Sequence, residues 1–124
     1  MKYKNIKLTS LVPKTITRQR GAEASSKLWP MLLKGEWIEL DLSDAETVSS
    51  SFLDEIVIQS SRKSVLNHLL FVINSTENQK KLERVFSIRE LPGKYRWYND
   101  ETIRDIETAP FIREEPVDEI KKAS

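Results

Sequence analysis

The run from His68 to Ile73 (HLLFVI) constrains the fold more than any other stretch of this chain. A short apolar run with no polar alternation reads as a strand buried on both faces, the environment of a mainly parallel sheet. The stretches flanking it have a different period. Phe52, Leu53, Ile56 and Val57 repeat at i, i+1, i+4 and i+5, which predicts an amphipathic helix running to about Lys63. Thr76 to Ile88 predicts another, with Leu82, Val85 and Phe86 inward and Lys80, Lys81, Glu83 and Arg84 outward.

The same alternation extends along the chain. Lys4 to Val12 reads as a strand carrying Ile6 and Leu8 and stopped by Pro13. Arg20 to Lys34 predicts a helix on Ala24, Leu28 and Leu32. Pro30 is expected to kink or divide that helix near Trp29, and Gly35 to end it. Glu36 to Leu42 predicts a strand through Trp37, Leu40 and Leu42. After a Pro92-Gly93 turn, Tyr95 to Tyr98 has strand character, and Asp100 is expected to cap a fourth helix through Ile103 and Ile106. Strands and helices joined by short connections predict an α/β sandwich: about four strands, mixed or mainly parallel, packed with about four helices. The expected core includes Phe52, Ile56, Leu70, Val72, Leu82 and Phe86. Residues 1–109 make one domain, and the charged stretch 110–124, with Pro110 and Pro116, reads as a loosely ordered tail.

Composition narrows the function classes. Lys plus Arg is 20 against 19 for Asp plus Glu, so there is no field for nucleic acid or a membrane surface. The basic trio Lys80, Lys81 and Arg84 is broken up by Glu77 and Glu83. With no cysteine, disulfides, thiolate catalysis and cysteine-ligated zinc are excluded. The start, MKYKNIKLTS, has no apolar signal core, and no run approaches the ~18 residues of a membrane span. A cytoplasmic protein is the expectation, so the sequon Asn74-Ser75-Thr76 reads as chance. One histidine with scattered carboxylates gives no metal-ligand spacing, and Gly21, Gly35 and Gly93 form no phosphate-cradling loop. Neither metal nor cofactor is expected.

Three consecutive serines, Ser49, Ser50 and Ser51, sit at the junction of the second strand and the second helix. In α/β folds such strand-end junctions are where ligand and partner surfaces form. The plainest role is capping, and Ser51 with Asp54 has the spacing of a capping box. That reading puts Asp54 and Glu55 in the first turn. A serine nucleophile needs a base, and His68 lacks a partner motif, as the serines lack the flanking glycines of a nucleophile elbow. A phosphate acceptor is compatible with free N–H groups and the helix dipole, although Asp54 and Glu55 oppose it by like charge. The alternative from another class is a small phosphate- or nucleotide-binding domain, or enzyme, gripping its anion with Arg18, Arg20 and the serines.

Residues 38–42, the loop SDAETV and the helix-opening serines resemble the signature region of STAS domains, the sulphate-transporter and anti-sigma-factor-antagonist modules. In the antagonists an Asp-Ser-Ser-Gly-Leu motif carries a serine phosphorylated by a partner ATPase-kinase. Laid on this chain the motif spans Ser49 to Leu53, so Ser51 matches that position, Ser49 replaces the aspartate and Phe52 the glycine. The closer likeness is to the STAS-like domains of bacteria and phages. Their Arg-rich entry to the first helix matches TRQRGAEAS (17–25), and their Ser-Phe-x-(Asp/Glu)-Glu block matches SSFLDEI (50–56). The likeness extends from Ile16 to Ile88. It implies a non-enzymatic regulatory module in signal transduction, with a histidine-kinase-like ATPase as protein partner. It also implies that Ser49, Ser50, Ser51, Asp54 and Glu55 form the partner-binding or phospho-acceptor site. Phe52 in place of glycine implies a helix start packed into the core, with the serines at its rim.

Overall fold

The apolar run becomes the middle strand of a five-stranded sheet in a computed structural model that describes residues 2–108. The tail expected at 110–124 lies outside the described residues. In chain order the elements are β1 (Tyr3–Lys7), α1 (Arg18–Leu32), β2 (Trp37–Asp41), α2 (Ser50–Arg62), β3 (Leu69–Ile73), α3 (Thr76–Arg89), β4 (Lys94–Trp97) and β5 (Arg104–Asp105). Strands β1 to β4 are parallel neighbours in sequence order, and β5 adds to β4 antiparallel. Right-handed crossovers that step always in one direction put α1, α2 and α3 on the same face of the sheet. The α/β class is therefore as expected, with a mixed sheet.

On that face Ile38 and Leu40 of the second strand, Leu42 just beyond it, and Leu69, Phe71 and Ile73 of the third meet all three helices. Ala24, Leu28 and Leu32 come from α1, Phe52, Leu53, Ile56 and Val57 from α2, and Leu82, Val85 and Phe86 from α3. All six residues expected in the core are buried. Leu70 and Val72 point to the other face, where no described helix lies, yet both are fully buried. Their lateral neighbours there are Glu39, Asp41, Lys94 and Arg96. The Arg96 guanidinium grips Glu39 at 2.9 and 3.0 Å, and Lys7 pairs with Asp41 at 3.1 Å. Long charged side chains thus cover the apolar run where a second helix layer was the natural expectation. Desolvation pushes the Asp41 carboxyl up, but bonds from Ser43, Lys7 and Asn5 outweigh it and hold it below the usual range.

Four local expectations are corrected. The first strand stops at Lys7 and tightens into a 3-10 turn at Leu8–Ser10, with Leu11 and Val12 buried beyond it. In β2 the inward set is Ile38 and Leu40, continued by Leu42 just past its end, so Trp37 faces the opposite side, where its ring stacks on His68 at 4.0 Å. Pro30 does not divide α1: it lies in the last turn, where one missing N–H costs one bond near an end that closes anyway. Gly35, at φ +90, completes the stop: its N–H donates to the Leu32 carbonyl at 3.0 Å and that of Glu36 to the Met31 carbonyl at 3.2 Å. Among the described residues no helix follows Asp100. Its carboxylate instead accepts from the Thr102 N–H at 2.9 Å and pairs with Arg104 at 3.0 Å, turning the chain back as β5 and seating Ile106 in the core.

Candidate functional site

The start of α2 is built from both sides. Val48 and Phe52 are buried, which anchors the chain immediately before and after the serines. Ser49, in extended conformation at φ −85 and ψ 157, is the N-cap: its Oγ accepts from the Phe52 N–H at 3.1 Å. The same hydroxyl donates to the Ile16 carbonyl at 3.0 Å, and the Ser49 N–H donates to the Thr15 carbonyl at 3.0 Å. The cap is therefore Ser49 rather than Ser51, because the Thr15–Ile16 segment supplies acceptors that only Ser49 reaches. Asp54 and Glu55 consequently fall in the second turn, and the Ser51–Asp54 capping box does not form. Ser50 is half-buried and Ser51 exposed. Their backbone N–H groups, first in the helix, have no acceptor within it. Phe52 is 0% exposed, as its place in the motif implied.

Asp54 ties three helices together. The Arg89 guanidinium, at the end of α3, donates Nε and Nη2 to the two carboxylate oxygens at 2.8 and 2.7 Å. Arg18, at the start of α1, reaches Asp54 at 2.9 Å and Glu55 at 3.1 Å. The Arg89 fork, helped by Arg18, holds the Asp54 carboxyl below the ordinary carboxylate range against the opposing effect of burial. Glu55 also accepts from Gln59 at 2.7 Å. Two further contacts brace the junction. A Cβ at Gly21 would lie 2.6 Å from the Phe52 carbonyl oxygen, so α1 approaches α2 as closely as glycine allows. From α3, Lys81 donates to the Val48 carbonyl at 2.7 Å.

Beside this hub lies a cleft of about 180 Å³ lined by Arg18, Ser50, Ser51, Asp54, Arg84, Val85, Ile88 and Arg89. Arg84 is exposed and has no ion-pair partner among the described residues. Ile88 is 41% exposed. Of the two arginines singled out for an anion, only Arg18 is here. Arg20 pairs with Glu23 at 2.7 Å. Two positions along a helix are about 200° apart, so the two side chains cannot share one site. Arg84 and Arg89 were not in the expected site. Their signal is the stripe Arg84, Val85, Ile88, Arg89 at i, i+1, i+4 and i+5, which gives the end of α3 a face of its own. A larger cleft of about 470 Å³ lies on the other side of Ser49, between Pro13–Ile16 and Asp44–Thr47, where Thr9 bonds Asp44 and Thr15 bonds the Thr47 carbonyl. Ile16, at 51% exposure, stands on its rim.

His68 is not part of this surface. It precedes β3, whereas the serines follow β2, so a strand length of roughly 16 Å separates them along the parallel sheet. Its Nδ1 lies 3.2 Å from the Glu36 carbonyl. Among the described residues no group of three or more His, Asp or Glu side chains is placed to hold a metal ion. No described helix is long and apolar enough to cross a membrane.

Fold and site together define an α/β module whose helix-opening serines line an arginine-rich cleft between its helices. Residues 26–80, somewhat less than half of the chain, match the model of the family described as a STAS-like domain of unknown function. The matched segment includes SSFLDEI but not the 17–25 block, which therefore adds nothing to the assignment. Arg18, Arg84 and Arg89 also lie outside it. A histone-lysine N-methyltransferase specific for H3 lysine-36, from Candida glabrata, is 32% identical over 83 residues, covering 62% of this chain. The match spans 12% of that protein's length. No solved structure matches.

Proposed function

We propose that this chain is a non-enzymatic regulatory module of the cytoplasm that binds a protein partner through the start of α2. A histidine-kinase-like ATPase is the partner that the STAS likeness suggests. The observation that carries the reading is the split within the serine triplet. Ser49 is consumed by capping and by the Ile16 carbonyl, while Ser50 and Ser51 present hydroxyls to a cleft whose walls belong to all three helices. A surface so braced is preorganised, which lowers the cost of recognition. Ser51, exposed in the first turn, is also the position from which an added charge acts directly on the cleft.

The test is calorimetric binding to the histidine-kinase-like ATPase encoded nearest this gene, with wild type beside Ser51→Asp. Wild type should bind and the variant should bind at least about tenfold more weakly, since the new carboxylate neutralises Arg18 and Arg84. Equal affinities would remove Ser51 from the interface. A second reading, a phosphate- or nucleotide-binding domain, is favoured by Arg18 sharing the cleft with Ser50 and Ser51. A thermal shift with ATP or GTP that disappears in Arg18→Gln would support it.

A further inference from the structure

Resting on that reading, we infer the chemistry of the partner: an acidic peptide segment that places a carboxylate in the cleft between α2 and α3, next to an apolar side chain seated on Ile88. Three guanidinium groups line this small cleft, and two of them are only partly committed. Arg89 spends Nε and Nη2 on Asp54, which leaves Nη1. Arg18 uses Nη1 for both Asp54 and Glu55, which leaves Nη2 and Nε. Arg84 is uncommitted among the described residues. Each guanidinium carries five donors in a planar fork that suits a carboxylate.

Three positive charges at the cleft meet two carboxylates, Asp54, 12% exposed in its side chain and held between Arg18 and Arg89, and Glu55, which shares Arg18 at 3.1 Å, so one positive charge is left over. Ser50 and Ser51 line the same cleft. Val85 and Ile88 give the same cleft an apolar wall, and an isoleucine 41% exposed beside the unpaired Arg84 is the composition of a contact patch rather than of a solvated helix end. Charge complementarity selects an acidic occupant and the apolar wall selects a peptide over a free ion. The face opposite the helices offers no equivalent, because its Lys7, Lys94 and Arg96 are paired with Asp41, Asp105 and Glu39.

Fluorescence anisotropy tests this with three labelled peptides: one of Asp, Glu and Leu, its Asn, Gln and Leu counterpart, and one with phosphoserine replacing the acidic residues. The acidic peptide should bind saturably and lose affinity as salt rises, and the amide counterpart should not bind. Arg84→Gln should weaken binding about tenfold, the scale of one charge-assisted hydrogen bond, and Ile88→Ser several-fold. Lys94→Gln, on the opposite face, should change nothing. The inference is overturned if the acidic peptide does not saturate, if the amide peptide binds equally, or if Arg84→Gln binds like wild type. It is also overturned if only the phosphoserine peptide binds, which would make the cleft a phosphate reader. If the ATPase binds through Ser51 while the acidic peptide fails, only the partner chemistry falls and the interaction module stands.

Discussion

Replacing Asp54 by Asn removes one charge from the hub while keeping its shape. Arg89 approaches as a fork, one nitrogen to each oxygen at 2.8 and 2.7 Å. An amide offers only one acceptor, so one guanidinium N–H then faces an NH2 group that can only donate. Arg18 at 2.9 Å loses its partner as well, but keeps Glu55 at 3.1 Å. Charge-assisted bonds of this kind contribute ~1.5–3 kcal/mol each when shielded. Here Arg89 and Arg18 side chains are 39% and 49% exposed, so water replaces much of what is lost. The expected cost is therefore about 1–3 kcal/mol in all, well short of the ~3–5 kcal/mol for breaking a fully buried pair. The pH dependence gives the sharper check. The Asp54 carboxyl is held below its ordinary pKa in the folded state, so its stabilisation is complete above the unfolded value near pH 4 and disappears as pH falls through the lower folded value. Urea unfolding of wild type and Asp54→Asn should therefore differ at pH 7 and converge as the pH falls below the unfolded carboxylate value. Equal stability at pH 7, or a gap that persists unchanged in acid, would refute the arginine fork as the stabilising element.

Three further outcomes follow from the packing. Ile56→Ala, at a fully buried position of α2, should lose ~2–5 kcal/mol in denaturant unfolding, and a loss under about half a kcal/mol would misplace the helix. Ser49→Ala should cost about 1 kcal/mol, whereas Ser51→Ala should cost only a few tenths, because the cap bond comes from Ser49. Gly21→Ala should destabilise by roughly 1–2 kcal/mol in a thermal melt, since a Cβ 2.6 Å from the Phe52 carbonyl forces α1 and α2 apart by more than alanine's helix propensity restores. A neutral result there would show that the two helices yield freely.

Much of the fold could be read from periodicity, because the three helices carry apolar stripes of helical period and the central strand an apolar run too short for a buried helix. What could not be read depends on distant partners. Strand β5 has two residues, too few for any period, and exists because Asp100 turns the chain and Ile106 finds the core. Asp100 was a legitimate helix cap by local chemistry, and the tertiary alternative won. The serines look equivalent locally, and Ser49 becomes the cap through the Thr15 and Ile16 carbonyls, more than thirty residues earlier. Asp54 meets Arg89 across 35 residues, a pairing no local pattern announces. Leu70 and Val72 were correctly expected inside, yet their cover is an Arg96–Glu39 pair rather than a second helix layer, which sequence periodicity does not distinguish.

The claim that the start of α2 is the partner surface is tested most directly by nuclear magnetic resonance of the isotope-labelled chain titrated with the histidine-kinase-like ATPase. The arginine-lined cleft and the sheet face opposite the helices are the two surfaces compared. The account predicts that signals of Ser50, Ser51, Arg84 and Ile88 shift or broaden first, while Asn5, Glu39 and Lys94 on the opposite face stay in place. Perturbation confined to Asn5, Glu39 and Lys94, with the Ser50 and Ser51 signals unmoved in a saturated complex, would contradict it.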